Sequence, residues 1–162
     1  MNKLVLMMAL VSGTPLPKGK LAHDYIIRSC PTIENTRAWK LGWTIEHYSN
    51  LFGLDIKTMI AILRQESNFR HGLAVLNTNG TYDLGVSQIN EIWIPEWKLD
   101  KDRLQNDDGY SIWIMARILK QLKDKFAGTE STWWSHYNSN KDGARLKYEQ
   151  LIKTHLMFMT AL

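Results

Sequence analysis

The sequence predicts a single mainly helical α+β domain with a small β-hairpin. In several segments apolar residues recur every three or four positions, which is the spacing of one buried helix face. Between two of these segments, Asn79-Gly80 stands among short β-prone residues and indicates a tight hairpin turn. A length of 162 residues with 44% hydrophobic residues suits one domain around one core.

The first part of the chain differs from the rest. Residues 1–11 contain one lysine and an apolar run, which is compatible with a signal peptide, whereas the shortness of the run and Pro15 argue against one. Glycines and prolines at residues 13–20 indicate a flexible arm. We therefore expect an N-terminal segment at residues 1–31 and the domain at residues 32–162.

Two helices should precede the hairpin. The apolar residues of the first, with Trp39 and Trp43 assigned to the core, run to a stop signal at Gly53. Asp55 then suits the N-cap of a second helix, which carries Glu66.

After the hairpin, residues 85–90 are predicted to form a short helix, followed by an aromatic loop with Trp93 and Trp97. A long central helix should begin at Asp107 or Asp108 as its N-cap. Its buried face is marked by apolar residues at helical spacing, namely Ile112, Met115, Leu119, Leu122 and Phe126.

Two further helices complete the predicted domain. Thr129 or Thr132 suits the start of the first, which runs through residues 133–137. Asp142 suits the start of the second, whose apolar residues include Tyr148, Leu151 and Ile152.

Glu66 lies on the predicted buried face of its helix. Counting back at helical spacing reaches Leu63, Met59 or Ile60, and Ile56. A carboxyl group against an apolar wall loses solvation of its charged form, so its pKa should rise. A raised pKa is what a general acid working near neutral pH requires. A surface or helix-capping glutamate is the alternative interpretation.

Three short motifs in order carry a resemblance to a known family. They are Glu-Ser-Asn-Phe at residues 66–69, Gly-Val-Ser-Gln-Ile at residues 85–89 and Tyr-Asn-Ser-Asn at residues 137–140. With them, the chain from Trp39 to Phe158 resembles the soluble lytic transglycosylases, which have a lysozyme-like fold. It looks most similar to the small transglycosylases of secretion and conjugation machines and of phages.

The resemblance implies an activity on peptidoglycan. In the family, the glutamate protonates the glycosidic oxygen between N-acetylmuramic acid and N-acetylglucosamine, and then acts as a base. The muramoyl C6 hydroxyl attacks C1 and gives a 1,6-anhydro end, assisted by the substrate's own acetamido group. This assistance removes the need for a second protein carboxylate. By resemblance, Glu66 is the catalytic residue of this chain.

The same resemblance implies a set of substrate-binding residues. Gln88 should line the cleft and contact sugar, and the Tyr137 hydroxyl should lie close to the acid, with core packing as its alternative. Asn138 should bond backbone near the cleft or contact substrate. Ser67 should support the helix end or bond near the carboxylate. Trp93, with Trp97, suits the cleft rim because flat aromatic faces pack against pyranose rings.

Asp83 admits two interpretations. It lies 17 residues after Glu66 (83 minus 66), the same offset as between the two active-site carboxylates of lysozyme. That offset would allow a hydrolase, a muramidase that uses Asp83 and water. Its position before Leu84-Gly85 instead favours an N-cap of the short helix predicted at residues 85–90, and we expect the capping role.

Charge and composition limit the partners. A net charge of +4 suits cell-wall glycan, nucleic acid or membrane headgroups without choosing among them. The single cysteine, Cys30, cannot form an internal disulfide and fits a structural thiol. The histidines show no metal-ligand spacing, so we expect no metal and no cofactor. No segment has the roughly 20 apolar residues that span a bilayer, so we expect no stable membrane insertion.

The resemblance also implies where the protein works. Its partner would be the glycan strands of peptidoglycan, with secretion, conjugation or virion components as further partners and no nucleic acid. It would reside in the periplasm or cell envelope if exported, and otherwise in a phage virion or delivered to the periplasm. The rival from another class is a catalytically silent assembly or virion protein that binds glycan or nucleic acid.

Overall fold

The structure is a computed structural model that describes residues 17–139 and 141–160. Within these residues the chain is mainly helical with one small antiparallel sheet, which confirms the predicted α+β class. The possible signal peptide at residues 1–11 lies outside the described residues, as does Pro15. None of the described helices combines the length and the apolar character that crossing a bilayer requires.

The helical elements of the described chain are, in order, α1 (Lys20–Ser29), α2 (Asn35–Phe52), α3 (Ile56–Ser67), α4 (Trp93–Trp97), α5 (Lys101–Asn106), α6 (Asp108–Phe126), a 3₁₀ helix (Trp133–Tyr137) and α7 (Asp142–Thr160). The predicted helix signals are confirmed at three ends. Gly53 ends α2 with a φ of 61°. Asp55 accepts a hydrogen bond from the Thr58 amide at 2.7 Å, and Asp107 accepts one from the Tyr110 amide at 3.0 Å.

Three short antiparallel strands form the sheet in the order β1 (Ala74–Leu76), β2 (Tyr82–Leu84) and β3 (Ile89–Asn90). Val75 is opposite Asp83 in the β1–β2 pair. The turn between them is closed by the Asn77 amide, which donates to the Thr81 carbonyl at 2.8 Å. Gly80 has a φ of 84°, so the predicted hairpin at Asn79-Gly80 is confirmed.

The short helix predicted at residues 85–90 is wrong. Residues 85–88 form a turn that leads into β3. Gly85 and Gln88 have φ angles of 74° and 48°, which a right-handed helix excludes. A Cβ at residue 85 would also lie 1.9 Å from the carbonyl oxygen of Leu104. Tertiary packing therefore requires a glycine at this point and turns the chain away from a helix.

The region after the sheet also differs from its prediction. The segment expected to be an aromatic loop forms α4, and α5 follows it without having been predicted. Short helices are marginal by themselves, so packing must hold them. Leu99 and Leu104 are buried in the core, and Trp97 packs against it. These contacts explain why helical structure forms where local signals are weak.

Helix α1 is part of the packed unit, although the sequence places residues 1–31 before the domain. Ala22 and Ile26 are fully buried and Cys30 nearly so. This face, with one apolar residue every four positions, packs against α2, α3 and α7. The folded unit therefore extends upstream of the predicted boundary, and Cys30 is a buried thiol.

The core lies between α3, α6 and the helices that surround them. Both helices contribute long runs of fully buried apolar side chains, namely Met59, Ile60, Ala61, Ile62, Leu63, Ile112, Ile114, Met115, Ala116 and Leu119. One tryptophan assigned to the core lies elsewhere: Trp43 is 53% exposed. Trp39 is half-buried and stacks on His23 with ring centroids 4.2 Å apart.

Candidate active site

A groove of about 740 Å³ separates the sheet and α4 from α6 and the 3₁₀ helix. Two carboxylates, several amides and a set of apolar and aromatic side chains face it. The lining residues are Glu66, Asn77, Thr78, Asn79, Asp83, Gln88, Ile89, Asn90, Ile92, Trp93, Trp97, Ile118, Gln121, Leu122, Lys125, Phe126, His136, Tyr137, Asn138 and Ser139. A mixture of apolar walls and a few convergent polar groups is typical of a ligand site.

Glu66 lies in the last turn of α3, at the edge of the buried face of that helix. The pKa of Glu66 is raised from its usual 4.5 to about 7, chiefly by loss of solvation. This net value includes a lowering by the hydrogen bond from Tyr148 and a smaller rise from the negative charge of Asp83. The pKa rise expected from the apolar stripe is therefore present, and a proton is available near neutral pH.

Tyr148 is the tyrosine that contacts the acid. Its hydroxyl donates to Oε1 of Glu66 at 2.5 Å. The tyrosine is buried on α7, and burial together with the charge of Glu66 raises its own pKa well above the ordinary value. Tyr148 therefore stays protonated at neutral pH and acts as a donor that orients the carboxylate.

Tyr137, predicted to lie close to the acid, has a different hydrogen-bond partner. Its hydroxyl donates to the backbone carbonyl of Ser87 at 2.7 Å. Burial raises the pKa of Tyr137 well above its ordinary value, and the charges of Glu66 and Asp83 raise it further. Tyr137 thus lines the groove within reach of the charges of both carboxylates, while its hydrogen bond to Ser87 stabilises the turn at residues 85–88.

Ser67 is only 1% exposed and is absent from the groove lining, so it cannot contact a bound glycan. Its hydroxyl donates to the Val86 carbonyl at 2.6 Å. This hydrogen bond ties the end of α3 to the turn at residues 85–88. Of the roles that the sequence suggests for Ser67, support of the helix end is the one that its contacts match.

The backbone after Glu66 adopts a left-handed conformation that side chains from other helices stabilise. Asn68 and Phe69 have φ angles of 53° and 60°, a region that residues other than glycine rarely adopt. The Phe69 carbonyl accepts from Nε of Arg37 at 2.8 Å. Arg37 also donates to Asp108 at 2.7 Å. An ion pair from α2 and α6 therefore stabilises the turn at which α3 ends.

Asp83 is not a helix cap, and the capping role expected for it is wrong. It lies in β2, its side chain faces the groove, and no helix begins at this point. Nδ2 of Asn90 donates to its Oδ1 at 2.7 Å across the β2–β3 pair. Because Asp83 raises the pKa of Glu66 through its charge, the two carboxyl groups act within one electrostatic site.

The remaining predicted site residues all line the groove. The side-chain Nε2 of Gln88 donates to the Gly85 carbonyl at 2.8 Å, so the nitrogen end of this side chain stabilises the turn at residues 85–88. Asn138 is exposed at the end of the 3₁₀ helix. Trp93 is 37% exposed, and its ring lies edge-on to that of Trp97 with centroids 6.0 Å apart. These two indoles form an aromatic part of the wall.

Several residues that line the groove, and the buried Tyr148 that contacts Glu66, were not predicted. Tyr148 had a usable signal, because a buried tyrosine on a helix face needs a partner for its hydroxyl. Asn90 had no such signal, because its hydrogen bond to Asp83 depends on β3, a strand that the sequence did not indicate. The face of α6 that forms the opposite wall, Ile118, Gln121, Leu122 and Lys125, shows helical spacing but nothing that marks it as a ligand surface.

Within the described residues, no three histidine, cysteine, aspartate or glutamate side chains are grouped so that they could hold a metal ion. The titratable groups that the groove does offer include a carboxyl group with a pKa of about 7, a second carboxylate on β2 and the hydroxyl of Tyr137, with the buried Tyr148 hydroxyl bonded to Glu66. Compared with known proteins, the chain matches no family model and no curated protein.

Proposed function

We propose that the protein cleaves the glycan strands of peptidoglycan as a lytic transglycosylase, with Glu66 as the single acid and base. The observation that carries the proposal is the position of Glu66, a carboxyl group with a pKa of about 7 in the wall of a groove. A pKa near the working pH is the property that proton transfer in both directions requires. The motif resemblance described above supplies the substrate.

In the proposed first step, protonated Glu66 gives its proton to the glycosidic oxygen between N-acetylmuramic acid and N-acetylglucosamine. The C1–O bond breaks, and the N-acetylglucosamine side leaves as an alcohol. Positive charge develops at C1 of the muramoyl ring, and the neighbouring acetamido oxygen stabilises it. Glu66 is now a carboxylate, which the Tyr148 hydroxyl stabilises through its hydrogen bond.

In the proposed second step, Glu66 takes the proton of the muramoyl C6 hydroxyl. The oxygen of this hydroxyl forms a bond to C1, which closes the 1,6-anhydro ring. The carboxyl group returns to its protonated state, so no proton is gained or lost over the cycle. The Trp93 and Trp97 rings would hold the sugar chain by their flat faces during both steps.

One observation favours a second candidate, a muramidase. Asp83 faces the groove from β2 and raises the pKa of Glu66 through its charge, and no helix begins at Asp83 that it could cap. Two carboxylates on opposite sides of a glycosidic bond are the usual apparatus of glycoside hydrolysis. In that reaction water, not the C6 hydroxyl, would attack C1, and the product would carry a reducing end.

Product analysis distinguishes the two reactions. Purified sacculi are digested, and the soluble muropeptides are separated and weighed by mass spectrometry. We expect anhydro ends, which are lighter by one water molecule than reducing ends and resist borohydride reduction. Reducing ends would refute the transglycosylase and support the muramidase. Samples of Glu66→Gln and of Glu96→Gln, an exposed glutamate on α4, show whether the products come from this site.

The same digestion tests the rival of a catalytically silent binding protein. A silent protein would release no muropeptides at any concentration, and Glu66→Gln would change nothing. For an active enzyme we propose a local opening of the cell wall, for a secretion or conjugation machine or for phage entry. The periplasm or cell envelope would then be its place of action.

A further inference from the structure

A second, smaller pocket lies on α2 and shares no described residue with the groove. Its volume is about 230 Å³, below the roughly 300–1,000 Å³ of most ligand pockets, so it has room for no more than a single ring. The residues that line it are Lys18, Gly19, Trp43, Glu46, His47 and Asn50.

The pocket is built where the chain before α1 crosses α2. Four of its residues recur at positions 43, 46, 47 and 50, which places them on one face of that helix. Gly19 closes the pocket from the other side. A Cβ at Gly19 would lie 2.7 Å from the backbone nitrogen of Trp43, and its φ is 83°. Only glycine allows this approach, so the pocket has a fixed backbone wall.

Trp43 presents a flat aromatic surface to this pocket. The indole is 53% exposed, and the His47 ring lies parallel to it within 6°, with centroids 5.7 Å apart. Together the two rings form a platform at the pocket. The apolar C–H face of a pyranose ring is flat and of matching size, and it packs well on such a surface.

Glu46 supplies a polar group that has no use within the described protein. Its Oε2 atom is buried and has no hydrogen-bond partner among the described residues. A buried acceptor without a donor is costly, so a turn of the Glu46 carboxylate toward a ligand that donates a hydrogen bond would be favoured here. Lys18 lines the same pocket. With both an acidic and a basic side chain among its lining residues, the pocket suits a neutral hydroxyl-bearing ligand better than an ion of either sign.

We propose that this pocket binds one neutral pyranose unit of a glycan strand, with the ring on Trp43 and a sugar hydroxyl donating to Glu46. The choice of peptidoglycan as the polymer rests on the proposed function. A second contact on the same polymer raises the effective concentration of glycan at the groove. Trp43 and Glu46 thus hold the protein on its substrate without taking part in cleavage.

Binding to purified sacculi tests the proposal in the Glu66→Gln background, in which the polymer is not consumed. We expect Trp43→Ala to weaken the affinity in a pelleting assay by about fivefold, the scale of a lost aromatic contact. Glu46→Gln should weaken it by about threefold. Leu51→Ala is the matched control, because Leu51 is 61% exposed on the same helix and lies outside the pocket. Equal affinities for Trp43→Ala and Leu51→Ala would overturn the proposal.

A soluble probe separates this proposal from the proposed function. Chitotetraose, an N-acetylglucosamine oligomer, is titrated into the ¹⁵N-labelled protein, and the indole N–H signal of Trp43 is assigned with Trp43→Phe. We expect this signal to shift, and the shift to persist in Glu66→Gln. A Trp43 signal that stays still at millimolar probe would overturn the pocket assignment. Absence of anhydro products would refute the cleavage reaction alone, because neither binding measurement depends on turnover.

Discussion

The groove contains two carboxyl groups in contrasting surroundings. Glu66 comes from the end of α3, which we call the helix wall, and Asp83 comes from β2, which we call the strand wall. Glu66 is at the end of a buried helix, where loss of solvation raises its pKa to about 7. Asp83 is on a short strand, where Asn90 donates to it at 2.7 Å. Burial on the helix wall favours the protonated form of Glu66, and the negative charge of Asp83 on the strand wall acts on Glu66 in the same direction. The same functional group is thereby prepared for two different tasks.

In the proposed reaction, this contrast places the proton transfer on the helix wall. The strand wall then acts through its charge, because Asp83 helps to keep Glu66 protonated. A transglycosylase needs nothing more from Asp83, whereas a hydrolase would need it to stabilise charge at C1 or to direct a water molecule. Substitutions on the two walls should therefore differ in size and in the direction in which they move the pH profile.

The largest effect is expected for Glu66→Gln. The amide keeps the size of the side chain but cannot give or take a proton at neutral pH. We expect turnover on sacculi to fall by about a thousandfold, within the range that general acid–base catalysis contributes. Release of soluble muropeptides measures the loss, and a normal circular dichroism spectrum shows that the fold is intact. Glu96→Gln should retain full turnover. A folded Glu66→Gln that is still active would show that Glu66 is not the acid and base of the reaction.

The second effect concerns stability and comes from the same wall. The pKa of Glu66 is 4.5 in its ordinary state and about 7 in the folded protein, so the folded state binds the proton more tightly. The free energy of unfolding should therefore fall as the pH rises from about 4.5 to about 7, by up to about 3 kcal/mol. Glu66→Gln removes this loss and should be the more stable protein at pH 8.

Urea unfolding curves at a series of pH values measure this difference. The wild-type protein and Glu66→Gln should be closest in stability below about pH 4.5, where Glu66 is protonated in both states. They should diverge as the pH rises. Asp83→Asn serves as the control, because it makes the same chemical change on the other wall and leaves Glu66 to titrate. Curves that stay parallel across the range would mean that burial does not raise the pKa of Glu66.

The helix wall could be predicted from the sequence because its signals are local. The apolar stripe from Ile56 to Leu63 points to the burial of Glu66, and Asp55 marks the start of α3. The hairpin at Asn79-Gly80 is likewise predicted by two adjacent residues that favour a tight turn. In each case neighbours along the chain determine the structure, so a single sequence contains the necessary information.

The strand wall could not be predicted in the same way. Residues 85–90 form a turn and a strand because Gly85 lies against the carbonyl of Leu104, a contact between segments distant in the sequence. Without β3, Asp83 looks like a cap and Asn90 has no role. Tyr148 was missed for a related reason, since only the packing of α3 against α7 brings it to Glu66. The pairing of groups at this site therefore depends on contacts between segments that are distant in the sequence.

A smaller change is expected when the orienting donor of the helix wall is removed. Tyr148→Phe deletes the hydroxyl that bonds to Oε1 of Glu66 and that favours its charged form. The pKa of Glu66 should therefore rise, and the decline of activity on the alkaline side should move to higher pH. We expect turnover to fall by about tenfold, because one hydrogen bond to a charged group is lost. The pH dependence of kcat on sacculi measures both effects.

Tyr137→Phe is the matched control for this prediction. Its hydroxyl donates to the Ser87 carbonyl and not to the acid, so its loss should leave the position of the alkaline decline closer to that of the wild-type protein. A larger displacement in Tyr137→Phe than in Tyr148→Phe would show that the wrong tyrosine has been assigned to the acid.

The smallest effect on turnover is expected for Asp83→Asn, on the strand wall. Loss of its negative charge should lower the pKa of Glu66, so the alkaline decline should move to lower pH, opposite to the change in Tyr148→Phe. The asparagine oxygen can still accept from Asn90, so the β2–β3 contact is kept. We expect turnover at about pH 6 to fall by less than about fivefold, with anhydro ends unchanged, since general acid catalysis by Glu66 persists. A loss of more than a hundredfold, with reducing ends in the wild-type digest, would assign Asp83 a direct part in catalysis and make the protein a hydrolase.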